Sequence, residues 1–149
     1  MTYQEIPTTE IKKHILDIFP GQGQEDLLLN VDNIYKLVNL NGIKSKLRDI
    51  IWWNRFMNDD PEIGDDVFIE LLLKGIDGND KILLVTDEGI FDKIGFSFYF
   101  KDLDAFKYIY EYKYKMEFFQ DSDYIFIIPA KKQISVLMHE GRYAVWRQT

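Results

Sequence analysis

Apolar residues recur at helical spacing along the first half of the chain and gather into short unbroken or alternating runs along the second. In "TTEIKKHILDIFPG" the positions Ile11, Ile15, Leu16 and Phe19 share one helical stripe, with Thr8 and Thr9 as N-cap residues and Pro20-Gly21 as the stop. A second helix is expected in "VDNIYKLVNLNG", capped at Asp32 and ended by Asn41-Gly42, although "DLLLNV" before it also suits a strand. "GIKSKLRDIIWWNRFMND" aligns Ile43, Leu47, Ile50, Ile51 and Asn54, and Trp53, Phe56 and Met57 widen the stripe past half the circumference. A helix there is either deeply buried or part of an interface. "DDPEIGDDVFIELLLKGIDGND" starts acidic, continues apolar and reaches Gly75, which predicts a helix from about Asp65 to Lys74.

The second half reads as strands. "KILLVTDEG" predicts a buried strand, and "GFSFYF" alternates Phe96, Phe98 and Phe100 with the two-residue period of another. "DLDAFKYIYEYKYKMEFF" satisfies two patterns at once. Ala105, Tyr108, Ile109, Tyr112, Met116 and Phe119 form a helical stripe, while the residues from Phe106 to Phe118 also alternate; we expect a helix from Asp102 that gives way to a strand near Lys115. "DYIFIIPAKKQISVLMHEGRYAVW" has three apolar runs separated by "PAKK" and "HEG", the spacing of an antiparallel meander. In that meander Gly141 supplies the positive φ of a turn, with His139 and Glu140 at a strand end. These elements imply one α+β domain over residues 1–149, with N-terminal helices packed on one face of a mainly antiparallel sheet of about five strands.

Composition narrows the chemistry. With 46% hydrophobic and 15% aromatic residues the chain can bury a core that offsets the entropy of ordering it. The absence of cysteine excludes disulfides, thiolate zinc sites, iron–sulfur clusters and a cysteine nucleophile. "MTYQEIPTTEIKKH" lacks the basic start and apolar run of a signal peptide, and no stretch approaches the roughly 20 apolar residues that span a bilayer. A cytoplasmic protein without membrane contact is the expectation. The net charge of −7 is uneven: residues 59–104 hold 13 acidic residues against four lysines, so the remainder sums to +2. Such a surface disfavours nucleic acid and attracts a basic protein partner, unless it serves solubility alone.

No motif names a reaction. A zinc-protease motif needs a second histidine after His139-Glu140, where the chain reads Arg142-Tyr143-Ala144, and nothing in the spacing brings His14 to His139. Asp77-Gly78-Asn79-Asp80, with Glu88 at the twelfth position, departs from a calcium loop at Lys81 and at Ile82, where glycine is required, so it reads as a turn. Phosphate-cradling glycine loops and serine nucleophile elbows are absent, and "PGQG" reads as a helix stop followed by a loop. The carboxylates Asp59, Asp60, Glu62, Asp65 and Asp66 are hard-oxygen ligands suited to Mg²⁺ or Ca²⁺, though such charge runs are usually solvated. Trp52, Trp53, Phe56 and the tyrosines from Tyr108 to Tyr114 are either core or an aromatic binding face.

The order of helices, the strand "KILLVTDEG", an acidic helix start and the terminal meander resembles small bacterial families, some grouped with immunity proteins of toxin systems. The resemblance spans about the last 70 residues by pattern. It shares no catalytic motif and does not match the glycine-rich loop signature of the SUKH immunity superfamily. It implies stoichiometric binding and carries over no active-site residue. The sequence therefore favours a non-enzymatic protein-binding domain that needs no cofactor or metal. Its basic partner, such as a toxin domain, would be met by Asp59, Asp60, Glu62, Asp65, Asp66, Trp52 and Trp53. The alternatives are a divalent-metal hydrolase using the same carboxylates and a homo-oligomeric subunit assembling through Trp52, Trp53 and Phe56.

Overall fold

The computed structural model describes residues 3–21, 27–43, 48–49, 65–119, 122–139 and 141–148. In chain order these form β1 (Gln4–Pro7), α1 (Thr8–Ile18), α2 (Val31–Leu40), β2 (Arg48–Asp49), α3 (Asp65–Leu72) and β3 (Lys81–Thr86). There follow α4 (Asp87–Phe91), β4 (Ile94–Tyr99), α5 (Leu103–Tyr114), β5 (Tyr124–Ile128), β6 (Gln133–Met138) and β7 (Arg142–Arg147). The strands make one sheet in the order β1-β4-β3-β5-β6-β7-β2, with every neighbouring pair antiparallel. The protein is α+β, with helices packed on an antiparallel sheet, as the sequence indicates. Its sheet has seven strands among the described residues, close to the expected five once the short edge strands β1 and β2 are set aside.

Strand periodicity divides the core into two layers. On one face Leu83, Val85, Ile125, Ile127, Ile134, Val136, Ala144 and Trp146 meet Ile11, Ile15 and Ile18 of α1 and Val31, Ile34, Leu37 and Val38 of α2. The opposite face carries Leu84, Phe96, Phe98, Tyr124, Phe126 and Leu137 beneath Phe68 and Leu72 of α3 and Leu103, Phe106 and Tyr110 of α5. Helices thus cover both faces, which is why β3 and β5 read as unbroken apolar runs rather than as alternation. Each large apolar side chain buried in this way contributes about 1.5–3 kcal/mol of transfer free energy.

Several sequence expectations change in the structure. Arg48 and Asp49, placed on a helix by the stripe from Ile43 to Met57, instead pair with Tyr143 and Arg142 as an edge strand. Of that expected helix, residues 44–47 and those from 50 onward lie outside the described residues. Asn30, not Asp32, caps α2, its side chain accepting from Asn33 N–H at 2.8 Å. Pro7 precedes α1, and no threonine side chain caps it.

The helix after Asp102 ends at Tyr114 because Lys115 turns left-handed at φ 54°, and no strand begins there. Its buried face is the other one. Phe106 and Tyr110 point inward, with Phe106 stacked on Phe98 at 4.3 Å between ring centroids, while Tyr108 and Tyr112 are 75% and 82% exposed. Both stripes of this helix are apolar, and the one carrying a phenylalanine that fits against Phe96 and Phe98 is the one buried.

Candidate functional site

At one end of the sheet β3 finishes, β5 begins and β6 turns into β7, so residues far apart in sequence become neighbours. Thr86 closes β3 and caps α4, its hydroxyl accepting from Gly89 N–H at 3.1 Å. The turn is tight: a Cβ on Gly89 would lie 2.8 Å from the carbonyl oxygen of Ile94, so only glycine fits. Glu88 then reaches inward, accepting from the Tyr110 hydroxyl at 2.8 Å and the Ser122 hydroxyl at 2.5 Å. Tyr110 and Ser122 are buried, and this carboxylate joins α4, α5 and the approach to β5. Burial pushes the Tyr110 hydroxyl pKa up, and the Glu88 carboxylate beside it adds to that rise.

Asp87, the next residue back, lines the opposite side of this junction. Its Oδ2 accepts from Asp123 N–H at 3.1 Å, and Asp123 Oδ1 accepts from His139 N–H at 2.8 Å, with His139 Nδ1 also at 2.8 Å. Asp87, Asp123 and His139 therefore follow one another across β3, β5 and β6. The residue Asp87 is exposed, yet neighbouring atoms partly desolvate its carboxyl, and that desolvation raises its pKa; Asp123 and Glu88 push the same way, against the Asp123 N–H and His139.

Asp87 and Asp123 stand on a cleft of about 290 Å³ whose other walls are Leu28, Leu29, Val31, Val85, Ile90 and Ile125, with Asn30 and Thr86. Leu28 is 69% exposed and Phe91, one residue beyond Ile90, is 92% exposed. An apolar cleft with two carboxylates at its wall and bare apolar side chains around it suits a side chain that is apolar along its length and cationic at its tip.

The residues singled out in the sequence fall elsewhere. Asp59, Asp60, Glu62, Trp52, Trp53 and Phe56 lie outside the described residues. Asp65, in the first turn of α3, is paired with the largely buried Lys107, so its charge is already met; Asp66 beside it is exposed. Asp77 and Asp80 form a turn, with Asp80 N–H donating to the Asp77 carbonyl at 2.9 Å, and both carboxylates face Lys131 at 2.9 and 3.6 Å. His139 sits in the β6–β7 turn, where Gly141 has φ 88° and its N–H donates to the Met138 carbonyl at 2.9 Å. His14 belongs to α1. Among the described residues no group of three or more His, Asp or Glu side chains is arranged to hold a metal ion, and no helix is long and apolar enough to cross a membrane.

Asp123, Leu28 and Ile90 were not marked by any motif. The signal nearest to them was "TDEG" directly after a buried strand, where a capping threonine is followed by two acids and a glycine. Compared with family models, with curated proteins and with solved structures, the chain matches none.

Proposed function

We propose that this protein is a non-enzymatic binding domain that captures a basic protein partner, with a toxin domain neutralised in a one-to-one complex as the partner class that its acidic balance and its resemblance favour. The observation that carries the reading is the acid-walled cleft. Asp87 and Asp123 border an apolar space walled in part by the exposed Leu28 and by Ile90, the residue before the exposed Phe91. A lysine, or an arginine with its aliphatic stem against Ile90 and Ile125, matches both the apolar wall and the carboxylates. Phe91 supplies the kind of exposed aromatic anchor that dominates interface energies. The partial desolvation of the Asp87 carboxyl supports the same reading, because an incoming cation offsets that cost. Of the carboxylates chosen from the sequence, Asp65 is already neutralised by Lys107 and adds little to the pull on a cation.

The test is isolation of partners with the full chain as bait from the cells that make it, followed by affinity measurement with the isolated partner. A basic partner is expected, bound at least about tenfold more weakly by the Asp87→Asn, Ile90→Ser double variant. Recovery of an acidic partner, or an affinity that this variant leaves unchanged, would refute the reading.

A further inference from the structure

The sheet face under α3 is not apolar throughout. Where α3 ends, β6 presents Gln133 and Ser135, both buried, and the Leu72 carbonyl accepts from the Ser135 hydroxyl at 2.6 Å and from Gln133 Nε2 at 3.2 Å. Gln133 Nε2 also donates to the Ser135 hydroxyl at 2.9 Å, so its amide orientation is fixed and its oxygen points to Arg147, whose Nε donates to it at 2.6 Å. Register does the rest. Gln133 pairs with Arg147, and Arg48 pairs with Tyr143, which places Arg48, Tyr143, Val145 and Arg147 on the same face of the sheet.

Beside α3 these residues line a groove of about 1040 Å³ that also takes in Lys74 and Lys131. Glu70 is the one acid on its wall among the described residues. The cations differ in how far they are already satisfied. Lys131 is held by Asp77 and Asp80, and Lys74 makes only a long exposed pair with Glu70 at 3.8 Å. Arg48 and Arg147 form no ion pair among the described residues. Arg147 is thus a guanidinium steadied through Nε by a buried amide, with no carboxylate on its terminal nitrogens among the described residues and with Nη2 near Gly75 on the groove wall. Two guanidiniums with no ion pair among the described residues, over a floor of Tyr143 and of Val145, which is 38% exposed, make a surface for a forked anion carried on a flat or apolar body.

We propose that this groove binds a small polyphosphate-bearing molecule, with Arg48, Arg147 and Lys74 on the phosphates and Tyr143 against the remainder. The assignment does not depend on the acid-walled cleft, which involves none of these residues. The test is titration calorimetry of the full chain with ATP and, separately, with tripolyphosphate. Saturable binding is expected, weakened roughly tenfold or more in Arg147→Gln and in Arg48→Gln, and little changed in Lys36→Gln on α2. Tighter binding of ATP than of tripolyphosphate assigns the site to nucleotides, and equal binding assigns it to the phosphate chain alone. Melting temperatures are measured alongside; if either arginine variant melts lower, Lys74→Gln, at an exposed residue, carries the same expectation. Absence of saturable binding for both probes, or equal weakening by Lys36→Gln, overturns the assignment.

Discussion

The acid-walled cleft and the basic groove occupy different parts of the sheet and are built by opposite means. In the cleft, carboxylates from the start of α4 and the approach to β5 stand among aliphatic side chains, and the next one along α4, Glu88, is turned away into a buried pair of hydroxyls. In the groove, the buried polar group is a neutral amide, and it holds a cation toward the surface. A chain of net charge −7 thereby carries a cationic surface that its charge count conceals, because Arg48, Lys131 and Arg147 belong to the residues that sum to only +2. Net charge describes long-range steering, whereas the sites depend on which charges the fold leaves unpaired.

The comparison separates most sharply at Glu88. Glu88→Ala leaves the hydroxyls of Tyr110 and Ser122, both buried, without their acceptor, at a cost of about 2–5 kcal/mol in denaturant unfolding. Because α4 is the element released, partner affinity is expected to fall with stability, while binding of ATP in the groove, measured well below the unfolding transition, is retained. A loss below about 1 kcal/mol would show that the carboxylate does not hold the cleft together.

A smaller effect of opposite sign is expected at Asp87. Desolvation raises its folded pKa above the unfolded one, so the folded state binds the proton more tightly. The stability it contributes is fully present below the unfolded pKa and is lost as pH rises through the folded pKa. At neutral pH the ionised side chain is therefore a net cost, and Asp87→Asn is expected to melt slightly higher than the wild type, the difference closing as pH falls below the ordinary carboxylate range. The same substitution is expected to weaken partner binding, the pattern of a residue kept for function at the expense of stability. A variant that melts lower at neutral pH would assign Asp87 a structural role instead.

The sequence disclosed elements whose pattern was set by burial in one layer or two. The runs "ILLV" and "IFII", the alternation of Phe96 and Phe98, and the stripe of Ile11 and Ile15 all correspond to what packs where. The edge strands escaped because they bury little: β1 is mostly exposed and ends in proline, and β2 is two residues long. On α5 periodicity found a helix and chose its wrong face, since apolar spacing alone does not rank Tyr108 and Tyr112 against Phe106 and Tyr110. The cleft was illegible for another reason. Its residues come from the segment before α2, from α4 and from the start of β5, and only strand order brings Asp87 beside Asp123. The groove depends likewise on the register that sets Gln133 opposite Arg147.

The most direct test of the binding reading is the rate of association with the isolated partner as ionic strength rises from about 0.1 M to about 1 M, over which the Debye length falls from about 10 Å to about 3 Å. The association rate is expected to fall steeply and the dissociation rate much less, as for a complex steered by charge. Replacing Asp87 and Asp123, together with Asp92 at the end of α4, by asparagine should reproduce much of that loss at low salt, whereas Glu10→Gln, Asp17→Asn and Glu117→Gln together should not. An association rate indifferent to salt, or equal losses from the two triple variants, would contradict capture of a basic partner through this cleft.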